Sequence, residues 1–280
     1  MKQYSFKAPT PFEFELKDLS LIINQKRKIS GVPHRTDFYQ IVLIESGESV
    51  QTVDFTPIKL QSGQILFIAK NQVISFDTVS TYSGKIILFT DIFFNRCDCQ
   101  PRLFKQLNIF NPFTGNTPVA ATEKLKSLFH LLEQEFTAQH DIFQTDIIHN
   151  LLSAFLIESS RQNPRETNPL KNQEYSIASR FAELVELHYS SLRKVNDYIE
   201  LMAIAAKPFS KALQTTIGKT PKQFIDDRIL LEAKRLLVYS NETIKEITFL
   251  LGFEEPTNFS KFFREQTGLS PAEFKKQHDS

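Results

Sequence analysis

Between Thr243 and Arg264 the chain carries two short helical apolar periods around a single Gly-Phe pair, and few folds accommodate that arrangement. Thr243 is a residue type that caps a helix N-terminus. Ile244, Ile247, Thr248 and Leu251 then recur at the spacing of one helical face. Gly252 comes next, where a left-handed residue can end the helix and turn the chain, and Phe253 is placed to anchor that turn in a core. Glu254-Glu255-Pro256 opens a second helix, since proline is tolerated in a first turn. Its inner face is Phe259, Phe262 and Phe263, and its outer face is Thr257, Asn258, Lys261 and Arg264. A second helix that buries one side and presents short polar and cationic groups on the other suits a DNA major groove. There Asn can pair with adenine, Lys with guanine, and Thr can use its hydroxyl or its methyl.

The same logic occurs once before. Asn196 or Asp197 is expected to cap a helix with Tyr198, Ile199 and Met202 inward, and Ile204-Ala205-Ala206 to form the turn. The second helix spans 207–217, with Phe209, Ala212 and Leu213 inward and Lys207, Ser210, Lys211 and Gln214 outward; Gly218 ends it. A helix over Pro221–Tyr239, with Phe224, Ile225, Ile229, Ala233, Leu236 and Leu237 on its buried side, separates the two units and would fix their relative position.

Bulk charge adds nothing to this reading. The whole chain of 280 residues carries a formal charge of +1, and residues 180–280 hold 15 Lys+Arg against 14 Asp+Glu, again a difference of +1. A DNA-binding surface must therefore arise from where charges fall. Hydrophobic residues at 41% and charged residues at 23% are ordinary for a core-forming protein. The length suggests two domains. No apolar run reaches membrane-spanning length, the first residues lack the apolar stretch of a signal peptide, and Cys97 and Cys99 are too few for a disulfide framework. These features point to the cytoplasm and away from a membrane.

The segment IKEITFLLGFEEPTNFSKFFREQTGLSPAEFKK resembles the signature of the AraC/XylS family of transcription regulators, and FSKALQTTIGKTPKQFIDDRILLEAKRLL resembles that family's first recognition helix and linker helix. Gly252-Phe253, Phe259-Ser260-Lys261, Phe263-Arg264, Gly268 and Ser270-Pro271 fall in register over about residues 178–277. The resemblance implies that each unit lays its second helix in successive major-groove segments on one face of double-stranded promoter DNA. Base-facing residues would be Lys207, Ser210 and Lys211 in the first unit, and Thr257, Asn258 and Lys261 in the second. Gln214 and Arg264 would meet phosphates.

The N-terminal part has a different texture. Stretches 12–16, 21–24, 38–44, 50–55, 64–68 and 85–89 are rich in Phe, Ile, Val and Thr, with turn residues at Ser46-Gly47-Glu48, Gln61-Ser62-Gly63 and Tyr82-Ser83-Gly84. Many short strands so punctuated suggest a barrel or sandwich. Residues 122–160 read as two amphipathic helices, one with Leu125, Leu128, Leu132 and Phe136 at helical spacing, the other with Ile147, Ile148, Leu151, Leu152 and Phe155. The polar stretch 159–172, with two prolines, fits an exposed linker.

The segment from Val32 to Asp77 resembles the cupin-like sensor barrel of many members of the same family, which implies either a small effector inside the barrel or a mainly oligomerising domain. An interior lined by Phe38, Ile41, Leu43, Leu66 or Ile68 could admit an apolar ligand; the same side chains could fill it. Catalytic cupins bind metal through clustered His and a carboxylate. Here Thr36 stands two residues after His34, and Val73–Ser75 lacks a histidine, so His34 is expected at a surface or rim and no metal or cofactor is expected. The CxC of Cys97 and Cys99 could sense oxidants or bind a soft metal, but no histidine is nearby and incidental cysteines are the simpler account. His130, His140 and His149 are expected on polar faces. Leu125, Leu128, Leu132, Ile148, Leu151, Leu152 and Phe155 could form a homodimer contact, as the family resemblance implies, or pack on their own barrel.

The expected architecture is thus α+β. A cupin-like barrel with a helical hairpin occupies 1–163 (barrel about 1–95, helices about 122–160), a linker 164–175, and an all-α domain of two helix-turn-helix units joined by a linker helix 176–280. The expected function is sequence-specific DNA-binding regulation, with activation, and hence RNA polymerase as partner, implied by most relatives. A constitutive or partner-controlled DNA binder is the alternative. A cupin enzyme with a DNA-binding appendage and a protein-interaction module are further rivals.

Overall fold

The computed structural model describes residues 2–6, 13–21, 31–94, 108–110, 116–162 and 172–278. Two compact units emerge, Lys2–Thr167 and Asn168–Ser280. No helix among the described residues is long and apolar enough to cross a membrane.

The first unit is built on strands β1 (Lys2–Tyr4), β2 (Phe14–Asp18), β3 (His34–Thr36), β4 (Tyr39–Val53), β5 (Thr56–Gln61), β6 (Gln64–Ile68), β7 (Val73–Ser75), β8 (Tyr82–Phe89) and β9 (Val119–Ala120). β4 is the common strand. Its first half pairs antiparallel with β6 and β8, and its second half with β5 and β7. One long bent strand thereby belongs to both sheets of a cupin-like barrel. The expected turn at Ser46-Gly47-Glu48 is therefore not a turn. Gly47 has φ 79°, the ladder to β8 shifts register between Ile44 and Ser46, and Ser46 and Gly47 still pair with Ser83 and Tyr82. This is a bulge, which bends a strand without reversing it. The reversal comes at Asp54 and Phe55, both at positive φ (46° and 67°), as a two-residue hairpin requires. Leu21 ends a helical turn and opens no strand; residues 22–24 lie outside the described residues.

Side chains alternate across β4 and separate two cores. Val42 and Ile44 face the interior with Phe38, Leu66, Ile68, Ile74 and Ile86. Ile41 and Leu43 point the other way, with Ile65, Phe67 and Ile87, toward the helices. The five residues expected to line one pocket are thus split. Phe38, Leu66 and Ile68 face inward, whereas Ile41 and Leu43 do not, because paired neighbours share a face (Val42 with Leu66, Ile41 with Phe67).

A short helix α1 (Asp91–Phe94) follows the barrel, then α2 (Glu123–Thr137) and α3 (Gln144–Arg161). Leu125, Leu132, Ile148, Leu152 and Phe155 are fully buried against the outer barrel face, with Leu128, Phe136 and Leu151 partly buried on the same core. Five of the seven residues named for a dimer contact are thus fully covered within one chain, and Leu128 and Leu151 are partly so. An apolar stripe at helical spacing says that a face is covered, not by which molecule. Ile147 is exposed. α3 runs through Ser159 and Ser160, both buried, so the expected linker starts too early. Residues 163–171 lie outside the described residues, and a helix is already under way at Asn172, inside the expected linker 164–175.

The second unit is all helical: α4 (Asn172–His188), α5 (Val195–Met202), α6 (Ala206–Thr216), α7 (Pro221–Tyr239), α8 (Ile244–Leu250), α9 (Pro256–Thr267) and α10 (Pro271–His278).

Candidate nucleic-acid interface

The first helix-turn-helix is α5 and α6. α5 starts earlier than the sequence suggests. Lys194 occupies the cap position, and Asp197, within the first turn, accepts a hydrogen bond from the Lys194 backbone N–H at 3.3 Å. The chain turns at Ala203, which sits at φ 49°, ψ 47°, so the turn is Ala203 to Ala205 and Ala206 already belongs to α6. A left-handed residue with a β-carbon costs about 1–2 kcal/mol, so surrounding packing must hold it there. That packing centres on Phe181 of α4, whose ring meets Tyr198 at 5.3 Å, Phe209 at 4.9 Å and Phe224 at 5.2 Å. One buried aromatic thus ties α5, α6 and α7 together, at about 0.5–1.5 kcal/mol per ring pair beyond area burial. Burial, and secondarily Asp197, raise the Tyr198 hydroxyl to about 12, and that hydroxyl donates to the Leu192 carbonyl at 2.9 Å.

The second unit is α8 and α9, formed as its residue types require. Thr243 caps α8 reciprocally with Glu246: the Thr243 hydroxyl accepts from the Glu246 N–H at 3.2 Å, and Glu246 accepts from the Thr243 N–H at 2.7 Å. Ile247, Thr248 and Leu251 are buried, Gly252 is left-handed at φ 74°, and Phe253 is buried against Phe259 at 5.3 Å. Pro256 opens α9, Gly268 closes it at φ 78°, and Phe259 and Phe263 form its inner face, with Phe262 half-buried.

α7 has the expected bounds and buries Phe224, Ile225, Ile229, Ala233 and Leu237, with Leu236 half-buried. It also buries three charged residues, Arg228, Glu232 and Arg235, beside that apolar face. Arg228 bonds Glu186 of α4 at 2.6 and 3.0 Å and Glu232 at 3.0 Å, and Glu232 accepts from Arg235 at 3.1 Å. Burial pulls the Arg228 pKa down, but the Glu186 and Glu232 carboxylates outweigh it and hold the guanidinium charged, above its ordinary value. The i, i+4 spacing of Arg228 and Glu232 is the one sequence signal that could have disclosed the pair.

On both second helices the outward residues are exposed: Lys207, Ser210, Lys211 and Gln214 on α6, and Thr257, Asn258, Lys261 and Arg264 on α9. Two of the cations have carboxylate neighbours. Lys211 pairs with Glu174 of α4 at 3.0 Å, and Arg264 lies 3.7 Å from Glu273 of α10. Each helix therefore joins a fully apolar inner face to a donor-rich outer one, the arrangement that presents base-reading and phosphate-binding groups to a groove.

In the first unit, His34 is buried, contrary to the expected rim position. Its ring lies edge-on to Tyr4 at 5.2 Å and stacks on Phe76 at 6.0 Å, with Nδ1 3.1 Å from the Val32 carbonyl. His149 is likewise buried, its Nε2 2.9 Å from the Phe94 carbonyl, whereas His130 and His140 are exposed. Cys97 and Cys99 lie outside the described residues.

A cupin-like barrel carried with two helix-turn-helix units on one linker helix defines a DNA-binding transcription regulator. Comparison with known proteins names the family. Residues 17–152 match the AraC-like ligand binding domain and residues 199–277 match a helix-turn-helix domain. The chain belongs to the AraC family of transcription regulators. It is 22% identical over 273 residues to the HTH-type transcriptional activator RhaS of Escherichia fergusonii, covering 95% of this chain and 96% of the relative. It is also 22% identical over 267 residues to RhaS of Yersinia pestis, covering 94% and 96%. Among solved structures, ToxT from Vibrio cholerae aligns with a TM-score of 0.46 at 13% identity over 96% of this chain and 100% of that one. A fatty-acid-bound ToxT aligns at 0.44 and 16% over 98% of both.

Proposed function

We propose that the protein activates transcription from promoters at which α6 and α9 read adjacent major-groove segments of one duplex. Lys207, Ser210, Lys211, Thr257, Asn258 and Lys261 meet base edges, and Gln214 and Arg264 meet phosphates. The single observation that carries this reading is the sidedness of the two helices. Phe209, Leu213, Phe259 and Phe263 are fully buried while all eight named polar side chains are exposed. Similarity to curated activators along almost the full chain supports activation, and hence contact with RNA polymerase, in the cytoplasm where promoter DNA lies.

The first unit supplies control, either through a small effector or through a partner. One observation favours the partner-controlled reading. Inside the barrel Phe38, Val42, Ile44, Leu66 and Ile68 pack on one another in one buried cluster, and neighbouring polar groups bond one another: Gln40 donates to Thr36 at 3.1 Å, and Gln51 donates to Ser49 at 3.1 Å and to Tyr82 at 3.2 Å. A homodimer would use side chains that the barrel leaves free, such as Leu131 and Ile147; sedimentation of the full chain tests it.

The deciding experiment maps bound sites across the genome and footprints the strongest. Protection of two major-groove segments about one helical turn apart on one face is the expected result. Protection of a single segment, or binding without sequence preference, would overturn it.

A further inference from the structure

The stretch between α4 and α5, from Tyr189 to Arg193, touches the linker helix α7 and both helix-turn-helix units. Its Tyr189 ring carries the Arg228 guanidinium of α7 at 3.9 Å. The Leu192 carbonyl is held by Tyr198 of the first helix-turn-helix. The Ser190 carbonyl lies against Gly252, and the Arg193 guanidinium lies 3.4 Å from the centroid of Phe253 and 5.8 Å from that of Phe262, all in the second. The Arg193 Nε is buried and has no hydrogen-bond partner; the guanidinium packs on the two rings, with the Asp226 carboxylate of α7 favouring its charge.

A linker helix alone leaves one freedom. α8 follows α7 through the short segment from Ser240 to Thr243, and a change of backbone angles there would swing α9 relative to α6. A second, non-covalent strut removes that freedom. We infer that Arg193 is a positioning residue for two-segment recognition: anchored to the first unit at Leu192 and stacked on the turn of the second, it sets the angle between the recognition helices. This rests on the reading of α6 and α9 as a paired reader. Arg193 need not touch DNA; it raises the effective concentration of one helix at its segment once the other is bound.

The test uses the full chain with Arg193→Leu and Arg193→Lys, and three DNAs: the intact operator, one with either segment scrambled, and one with a single base pair inserted between segments. Arg193→Leu should bind the intact operator about tenfold more weakly, the scale of a desolvated cation–ring contact. It should bind one-segment DNA as the parent does, and suffer less than the parent from the insertion. Arg193→Lys should behave like Arg193→Leu, because an ammonium keeps the charge but not the planar stack. Equal losses on intact and one-segment DNA, or restoration by Lys, would overturn the proposal and mark Arg193 as a fold or phosphate contact. If scrambling either segment leaves the parent's affinity unchanged, the paired-reader reading itself fails, and the strut with it.

Discussion

The carbonyl oxygen of Ser190 occupies the space into which a side chain on Gly252 would project: a β-carbon there would stand 1.9 Å from it. Gly268, at nearly the same φ (78° against 74°), has nothing within 4 Å of such a carbon. The two glycines separate backbone strain from close approach. Gly268→Ala should cost about 1–2 kcal/mol, the left-handed penalty alone. Gly252→Ala should cost about 3 kcal/mol or more, since overpacking adds to it. Denaturant melts of both variants check this; equal losses would show that the α4–α5 connection gives way freely.

Arg228, itself buried, is bound on both sides by carboxylates, Glu232 in the interior and Glu186 toward solvent. Arg228→Met takes one cation away from the buried Glu232 and should cost about 3–5 kcal/mol. Glu186→Gln, at the better-exposed end of the network, should cost about 1 kcal/mol. Chemical unfolding of the two variants gives the comparison, and a near-neutral Arg228→Met would show that the network does not hold α4 to α7.

Lys211 is engaged by Glu174, yet its side chain is 73% exposed, so the pair is screened and weak. DNA must compete with that carboxylate. Glu174→Gln should therefore tighten operator binding modestly, by about 0.5 kcal/mol, and most at low salt, where the competing ion pair is least screened. Unchanged or weaker binding in a salt titration would show that Lys211 takes no part.

Glu246 and Glu273 close the caps of α8 and α10. Hydrogen bonds from the Thr243 backbone and hydroxyl lower the first carboxyl, and those from the Ser270 hydroxyl and backbone lower the second, from the ordinary 4.5. A depressed folded-state pKa stabilises above the unfolded value and is lost as pH falls through the folded one. The melting-temperature gap between the parent and Glu246→Gln should thus be constant at neutral pH and narrow below about 4.5. A gap that widens in acid contradicts the capping role.

Much of the second unit was legible in its sequence because local chemistry and tertiary packing agree there. Thr243, Gly252, Pro256 and the bounds of α7 each follow from a residue whose backbone preference is strong. The first unit was legible as strands but not in its detail. Gly47 looks like a turn and serves as a bulge, since pairing on both sides of β4 outweighs its turn preference. Ile41 and Leu43 could have been separated from Leu66 and Ile68 by strand parity once the register was known, and only the fold supplies the register. Nothing in the sequence marks Arg228, Glu232 and Arg235 as buried, because a charge looks buried only when its partner is in view, and Glu186 lies on another helix. Arg193 carries no motif at all; its role exists only through Phe253, which is distant in sequence.

The central claim is that the outer faces of α6 and α9 read sequence. Asn258→Ala and Lys261→Ala, measured on the operator and on random DNA at one salt concentration, test it most directly. Each variant should lose about 1–3 kcal/mol on the operator and far less on random DNA. Equal losses on both DNAs would reduce these residues to phosphate contacts and contradict the account.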